Sequence, residues 1–181
     1  MRYVALLRGI NVGGKKKVPM PTLKEVFEEV GHTEVRTYIN SGNVVFDAPR
    51  TRVTDLAEEL EGAIETKFGF TVRVLVLRGS GVRKIADELP DDWVNDDQAS
   101  CNVLYLLPER ASSKALDAFD INPPHEEARY CAGAILSRVA RSHLSRSSFH
   151  KLIGTDRDLY DHVTIRNCNT ARKLAAMVAQ A

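Results

Sequence analysis

The order of the apolar segments in the first 77 residues restricts the fold more than any other feature of this sequence. The run Tyr3–Leu7 is continuously apolar, which is typical of a strand buried on both faces. Two stretches with helical spacing of apolar residues flank a β-rich hairpin that turns at residues 40–43. The predicted elements are a strand over 3–7, a helix over 23–30, strands over 34–39 and 43–46, a helix over 53–64 and a strand over 71–77.

Strand–helix–strand–strand–helix–strand is the order of the ferredoxin-like split unit. Right-handed crossovers in such a unit place the first strand beside the third, in the centre of the sheet. Pro19 and Pro21 exclude an earlier start of the first helix, and the capping-box spacing of Thr22 and Glu25 predicts its beginning.

The second half repeats this order with little sequence identity, so a duplication is inferred from element order alone. Its predicted elements are a linking helix over 82–89, a strand over 101–107, a helix over 113–119, a hairpin over 128–139, a helix over 144–153, a strand over 162–165 and a final helix over 171–178. We therefore predict an α+β fold of two ferredoxin-like (βαββαβ) subdomains in one compact chain, with a C-terminal helix. The predicted boundaries are 1–79 for the first subdomain, 80–98 for the linking helix and an acidic loop, and 99–181 for the second subdomain.

Charge and cysteine content bear on compartment and partners. The formal net charge is +1, so any basic footprint for nucleic acid must be local. Three cysteines without motif spacing argue against a disulfide framework and for a reducing compartment. No apolar run approaches the roughly 20 residues of a membrane span, and no signal-peptide pattern is present. We expect a cytoplasmic protein that does not interact with membranes.

The loop after the first strand is rich in glycine and lysine. In the split unit this loop and the first hairpin turn lie at the same end of the sheet, so both are predicted to face one solvent space. Glycines can expose backbone N–H groups to an anion, and lysines supply positive charge, which suits phosphate. The ligand-binding residues predicted here are Arg8, Asn11, Gly13, Gly14, Lys15, Lys16, Lys17, Asn40, Ser41 and Asn43.

The same loop nearly matches a P-loop through Gly9, Gly14 and Lys15. A P-loop requires Ser or Thr where this chain has Lys16, and its helix follows at once, so a true P-loop is not expected. An alternative interpretation is a solvated basic connection whose glycines only turn the chain.

The start of the last helix is a second candidate site. Arg166, Asn167 and Asn169 lie where a helix N-terminus attracts anions, and they are added to the predicted ligand-binding residues. The alternative is plain capping of that helix by an Asn or Thr side chain, with Arg166 paired to one of three nearby aspartates. Those aspartates are Asp156, Asp158 and Asp161.

Three segments together resemble a known family. They are Leu6–Gly14 (LLRGINVGG), Thr37–Val44 (TYINSGNV) and Arg166–Thr170 (RNCNT), and they are similar to domain-of-unknown-function family 1697, a group of bacterial cytoplasmic proteins. The resemblance covers nearly the whole chain and implies two ferredoxin-like subdomains. It implies no activity and therefore no catalytic residues. The family usually has Trp at the position of Cys168.

No constellation in the sequence predicts a reaction. Cys168, near Arg166, is the best candidate for a nucleophile, but no general base accompanies it. We therefore expect its thiol to be inert. Histidines and acidic residues lack ligand spacing, so no metal and no cofactor are predicted. The basic segment 138–151 is read as a solvated face, with a nucleic-acid face as the alternative.

Three functions remain open at this point. The favoured one is binding of a phosphorylated ligand, either a small molecule such as a nucleotide or an RNA, by a monomer. The second is an enzyme whose polar pocket combines the side chains of Arg8, Asn11, Ser41, Asn43 and Arg166. The third is a protein-interaction domain, suggested by two hydrophobic residues expected to be exposed in the acidic loop, Trp93 and Val94.

Overall fold

The computed structural model describes residues 1–180, with the backbone alone at positions 152, 153 and 155. The chain divides into two units. Unit 1 comprises Met1–Val82 and the chain from Leu174 onward, and unit 2 comprises Arg83–Lys173. The predicted boundaries at residues 79 and 99 remain predictions, and Ala181, the last residue of the predicted second subdomain, lies outside the described residues.

Unit 1 is a ferredoxin-like unit. Its elements are β1 (Arg2–Leu7), α1 (Met20–Glu29), β2 (Thr33–Tyr38), β3 (Asn43–Asp47), α2 (Val53–Phe68) and β4 (Val74–Arg78). They form an antiparallel sheet in the order β2-β3-β1-β4, in which Tyr3 pairs with Phe46 on one side and Arg78 on the other. The predicted order, with the first strand beside the third, is confirmed.

The core of unit 1 forms where the apolar stripes of α1 and α2 pack on the sheet. Leu23, Val26 and Phe27 supply the stripe of α1, and α2 contributes three buried residues at the same helical spacing, Leu56, Leu60 and Ile64. Phe27 meets Phe46 edge to face with ring centroids 5.2 Å apart. Complete burial of side chains of this size contributes about 1.5–3 kcal/mol each.

The start of α1 differs from the prediction. The helix begins at Met20 directly after Pro19, and no side chain caps it, so the predicted capping box at Thr22 is wrong. Pro21 is accommodated because the first turn of a helix has no intrahelical partner for backbone N–H groups.

Unit 2 has the same strand order. The linking helix α3 (Gly79–Asp87) leads into it, and its elements are β5 (Ala99–Leu106), β6 (Glu126–Cys131), β7 (Ala134–Ala140), α4 (Ser148–Thr155), α5 (Arg157–Asp161) and β8 (Val163–Asn167), followed by the last helix α6 (Cys168–Ala179). The antiparallel sheet runs β6-β7-β5-β8, with Val103 paired to Leu136 and Arg166. The α+β fold with two such sheets and a C-terminal helix is therefore confirmed.

The crossovers of unit 2 are less regular than predicted. The helix predicted over 113–119 lies at Ser113–Ala118, but it is a 3₁₀ helix, and Phe119 donates its N–H to the carbonyl of Leu116. The helix predicted over 144–153 is in part a 3₁₀ helix, Arg141–Arg146, and α4 begins only at Ser148, where the buried carboxylate of Glu126 accepts the N–H of Ser148 at 2.9 Å.

The predicted exposure of Trp93 is also wrong. Only 2% of Trp93 is exposed, because the Arg129 guanidinium lies over its ring, 5.0 Å from the centroid. The Trp93 carbonyl accepts hydrogen bonds from Cys168 Sγ at 3.0 Å and from Arg172 at 2.7 Å. Val94 is 42% exposed, and it alone remains of the apolar pair predicted in this loop.

Candidate functional site

One edge of the unit 1 sheet brings three loops together. Leu7 donates its N–H to the carbonyl of Gly42 at 2.8 Å, and Arg8 donates its N–H to the carbonyl of Arg73 at 2.9 Å. The loop after β1, the turn between β2 and β3, and the loop between α2 and β4 are therefore neighbours, and we call them the rim (residues 8–19, 39–42 and 69–73). The sequence predicted the first two as neighbours, and these contacts confirm it.

The glycine-lysine loop forms a small hairpin, the finger (residues 11–16). Asn11 donates its N–H to the carbonyl of Lys16, and Lys15 donates to Val12, both at 3.1 Å. Gly13 and Gly14 lie between them with φ of 59° and 74°, as a two-residue hairpin turn requires. The glycines therefore serve the turn, and the N–H of Lys15 is used within the finger, which supports the interpretation of this loop as a turned basic connection.

Two of the three asparagine side chains predicted in this region hold backbone groups. The Asn11 amide donates to the carbonyls of Val18 and Asn40 at 2.9 and 2.8 Å, and its oxygen accepts the N–H of Val18 at 2.8 Å. Asn43 is completely buried, and its amide donates to the Tyr38 carbonyl and the Ser41 hydroxyl, both at 2.9 Å. Asn11 and Asn43 therefore position the rim, and the polar pocket of the enzyme hypothesis is not formed by their side chains.

A cleft of about 420 Å³ opens at the rim beside α2. Lys16 reaches across it, donating from Nζ to the Thr71 carbonyl at 2.7 Å and lying 5.8 Å from the centroid of the Phe70 ring. The exposed side chains of Lys15 and Lys17 do not line the cleft. The lining residues are Arg8, Gly9, Lys16, Glu61, Gly62, Glu65, Thr71, Val72 and Arg73.

Of these nine lining residues, only Arg8 and Lys16 were among the ligand-binding residues predicted from the sequence. Glu61 accepts the N–H of Val74 at 2.7 Å, and its carboxylate lies 3.6 Å from Arg73 Nε. Glu65, one turn further along α2, is exposed. The signal that could have found Arg73 is topological, because the loop before the fourth strand of a split unit ends at the same edge as the loop after the first.

The second predicted site lies in unit 2, at the start of α6. Asn167 accepts the N–H of Thr170 at 2.8 Å, which confirms the predicted capping, and Asn169 bonds to the Asn95 backbone. Arg166 is 8% exposed and donates to the Ile165 carbonyl at 2.7 Å, and burial lowers the pKa of its guanidinium to about 10.

The three aspartates that were alternative partners of Arg166 have contacts of their own. Asp156 caps α5 by accepting the N–H of Leu159 at 2.9 Å. Asp158 pairs with Arg110, and Asp161 pairs with Arg157 at 3.1 Å.

Cys168 does not have the surroundings of a nucleophile. Its side chain is completely buried and is held by the Trp93 carbonyl. Burial and the neighbouring Cys168 raise the pKa of the Cys101 thiol to about 12, so that thiol is protonated at neutral pH. Within residues 1–180, no group of three or more His, Cys, Asp or Glu side chains could hold a metal ion, and no helix could cross a bilayer.

The chain matches a protein family and a solved structure. A family model described as "Protein of unknown function (DUF1697)" matches residues 1–136. The solved structure of the conserved bacterial protein SP0830 from Streptococcus pneumoniae is 28% identical, covers 98% of both chains and superposes with a TM-score of 0.81. No curated protein matches the chain.

Proposed function

The chain belongs to the DUF1697 family of proteins of unknown function, and we propose that it binds a phosphorylated ligand, a nucleotide or RNA, at the cleft of unit 1. The observation that carries the proposal is the convergence of cations from three separate parts of the chain. Arg8 follows β1, Lys16 ends the finger, and Arg73 precedes β4, yet all three line one cleft. Cations brought together in this way favour a phosphate group.

The proposal includes location and oligomeric state. Cys101, Cys131 and Cys168 are all free thiols, which a reducing cytoplasm maintains. A monomer suffices for binding, because every lining residue of the cleft belongs to unit 1 of one chain.

Lys16 and Lys15 offer a matched test within the finger. In Lys16→Met the side chain keeps its contact with Phe70 but loses the charge, and we expect affinity for adenosine 5′-monophosphate or a short RNA to fall about tenfold. Lys15→Met removes the same charge from a side chain outside the cleft, and its affinity should change by less than about twofold. Isothermal titration calorimetry measures both, and the melting temperature controls for folding.

Two results would contradict the proposal. One is that the unmodified protein binds neither probe nor inorganic phosphate. The other is that both lysine variants lose affinity equally, which indicates general attraction of anions to the finger and not binding in the cleft.

A further inference from the structure

The charges of the cleft are divided between its walls. The basic wall consists of Arg8, Lys16 and Arg73, which all come from loops of the rim. The wall formed by α2 supplies Glu61, whose carboxylate lies 3.6 Å from Arg73 Nε, and Glu65, one helical turn further along the same face. A ligand in this cleft therefore meets the exposed carboxylate of Glu65 as well as the three cations.

This division disfavours a polyanion. A nucleic acid strand carries a negative charge on every nucleotide, so a strand in the cleft would bring further phosphates near Glu65 as well as near the lysine. A phosphate and a carboxylate that lie side by side repel each other, and proteins commonly use such repulsion to reject a wrong partner. A single terminal phosphate on the basic wall, attached to an uncharged remainder, avoids the conflict.

The carboxylates also indicate what that remainder carries. The Glu61 carboxylate already accepts the Val74 N–H, but no side chain among the described residues is seen to pair with the exposed carboxylate of Glu65. An ionised carboxylate only accepts hydrogen bonds, and a pair of sugar hydroxyls is a good donor to it, as in the recognition of ribose by acidic residues. The volume of about 420 Å³ lies at the small end of the range for small-molecule pockets.

We propose that the ligand of this cleft is a small sugar monophosphate, free or as part of a mononucleotide, with its phosphate on the Lys16 side and its hydroxyls on Glu65. This inference rests on the proposed function and selects one class among its ligands. It predicts that RNA, the other ligand class of the proposed function, binds more weakly than the sugar phosphate.

Glu65→Gln tests the assignment, because it keeps the shape of the side chain and removes its charge. We expect affinity for ribose 5-phosphate to fall about tenfold, while affinity for a short single-stranded RNA rises, since the repulsion is removed. Inorganic phosphate, which has no hydroxyl-bearing remainder, should bind no more weakly than to the unmodified protein. Glu58→Gln, on the same helix but outside the cleft, is the control for net charge, and it should leave ribose 5-phosphate binding unchanged.

Gly62 provides a second, steric variant. It lies on α2 in the wall of the cleft, and nothing lies within 4 Å of a Cβ placed on it, so Gly62→Leu is compatible with the helix and narrows the cleft. Binding of ribose 5-phosphate should fall at least tenfold, with the melting temperature maintained.

The measurements distinguish a failure of the proposed function from a failure of the sugar phosphate assignment. If the unmodified protein binds no phosphate compound, the proposed function is wrong. If it binds RNA more tightly than ribose 5-phosphate, or if Glu65→Gln leaves ribose 5-phosphate binding unchanged or stronger, the sugar phosphate assignment is wrong and the phosphate site stands. Ribose 5-phosphate and adenosine 5′-monophosphate, compared in the same titrations, tell the free sugar phosphate from the nucleotide.

Discussion

The two units have the same strand order but connect their strands differently. In unit 1 both crossovers are regular helices, α1 of 10 residues and α2 of 16. In unit 2 the first crossover contains only 3₁₀ helices. The second consists of the 3₁₀ helix Arg141–Arg146, α4 of eight residues and α5 of five. The order of strands in a sheet therefore does not depend on regular helices in the crossovers.

The difference in crossovers produces a difference in the cores. The core of unit 1 contains three buried rings, Tyr3, Phe27 and Phe46, beneath two helical stripes. Unit 2 also buries three aromatic side chains, Trp93, Tyr105 and Phe119, but Phe119 lies at the end of a 3₁₀ helix and is 7% exposed. Regular helices cover a sheet with more apolar surface, so we expect unit 1 to be the more stable unit.

Matched phenylalanine substitutions give the largest effect. Phe27→Ala should lower the free energy of unfolding by about 4 kcal/mol, because the ring is completely buried against Phe46. Phe119→Ala, in a less regular and partly exposed setting, should cost about 2 kcal/mol. Urea unfolding with native-state hydrogen exchange assigns each loss to its unit. Equal losses would show that the two cores are equally well packed.

Matched glycines in the two hairpin turns give the next effect. Gly42 and Gly133 both have positive φ, but a Cβ at Gly42 would lie 2.7 Å from Leu7 Cβ, whereas at Gly133 the nearest atom, Ala111 Cβ, is 3.7 Å away. Gly42→Ala should therefore cost about 3 kcal/mol, from backbone strain and overlap, and Gly133→Ala about 1 kcal/mol, from strain alone. Thermal unfolding measures both. Similar losses would contradict the prediction, because they would show that Leu7 and Ile10 can move away from a Cβ at position 42 at little cost in free energy.

The smallest effect concerns pH and His32. His32 lies against Phe46 with ring centroids 4.7 Å apart, and burial lowers its pKa below the ordinary 6.5, although Glu59, 3.4 Å from Nε2, opposes the shift. His32 therefore binds a proton more readily in the unfolded chain than in the folded one. Its contribution to the free energy of unfolding is complete above pH 6.5 and is lost as the pH falls below that value.

We expect His32→Gln to reduce the loss of stability between about pH 7 and pH 5, measured by urea unfolding at several pH values. The control in unit 2 is His162→Gln, at a half-buried position beside Asp158. A pH dependence that is the same in His32→Gln as in the unmodified protein would show that the buried histidine does not contribute.

The sequence predicted strands better than it predicted side-chain environments. The hairpin predicted over 34–39 and 43–46 lies at Thr33–Tyr38 and Asn43–Asp47, because alternation and turn residues are local signals that a buried sheet must obey. Trp93 was misplaced because its burial depends on Arg129 and on α6, which are distant in sequence. A local pattern carries no information about such contacts.

The candidate site was also only partly predictable from the sequence. Topology alone placed Lys16 and the first turn at one edge of the sheet. It did not supply Glu61 or Glu65, because their part in the cleft depends on the rotation of α2 about its own axis. That rotation is set by how the helix packs on the sheet. The apolar stripe predicts which face of the helix is buried, but it does not predict which of the polar residues beside that face reach the cleft.

The finger has a practical consequence. Its two closing backbone hydrogen bonds join Asn11 to Lys16 and Lys15 to Val12. Its Gly13–Gly14 tip faces open space, and the side chain of Val12 is 69% exposed. An environment-sensitive fluorophore attached at position 12 through an introduced cysteine would leave those bonds intact. Cys101 and Cys168 are buried away from the labelling reagent, and the half-buried Cys131 is first replaced by Ser so that it does not react. Since Lys16 joins the finger to the cleft, the emission of such a dye offers an optical sensor with which to screen metabolite collections against this protein.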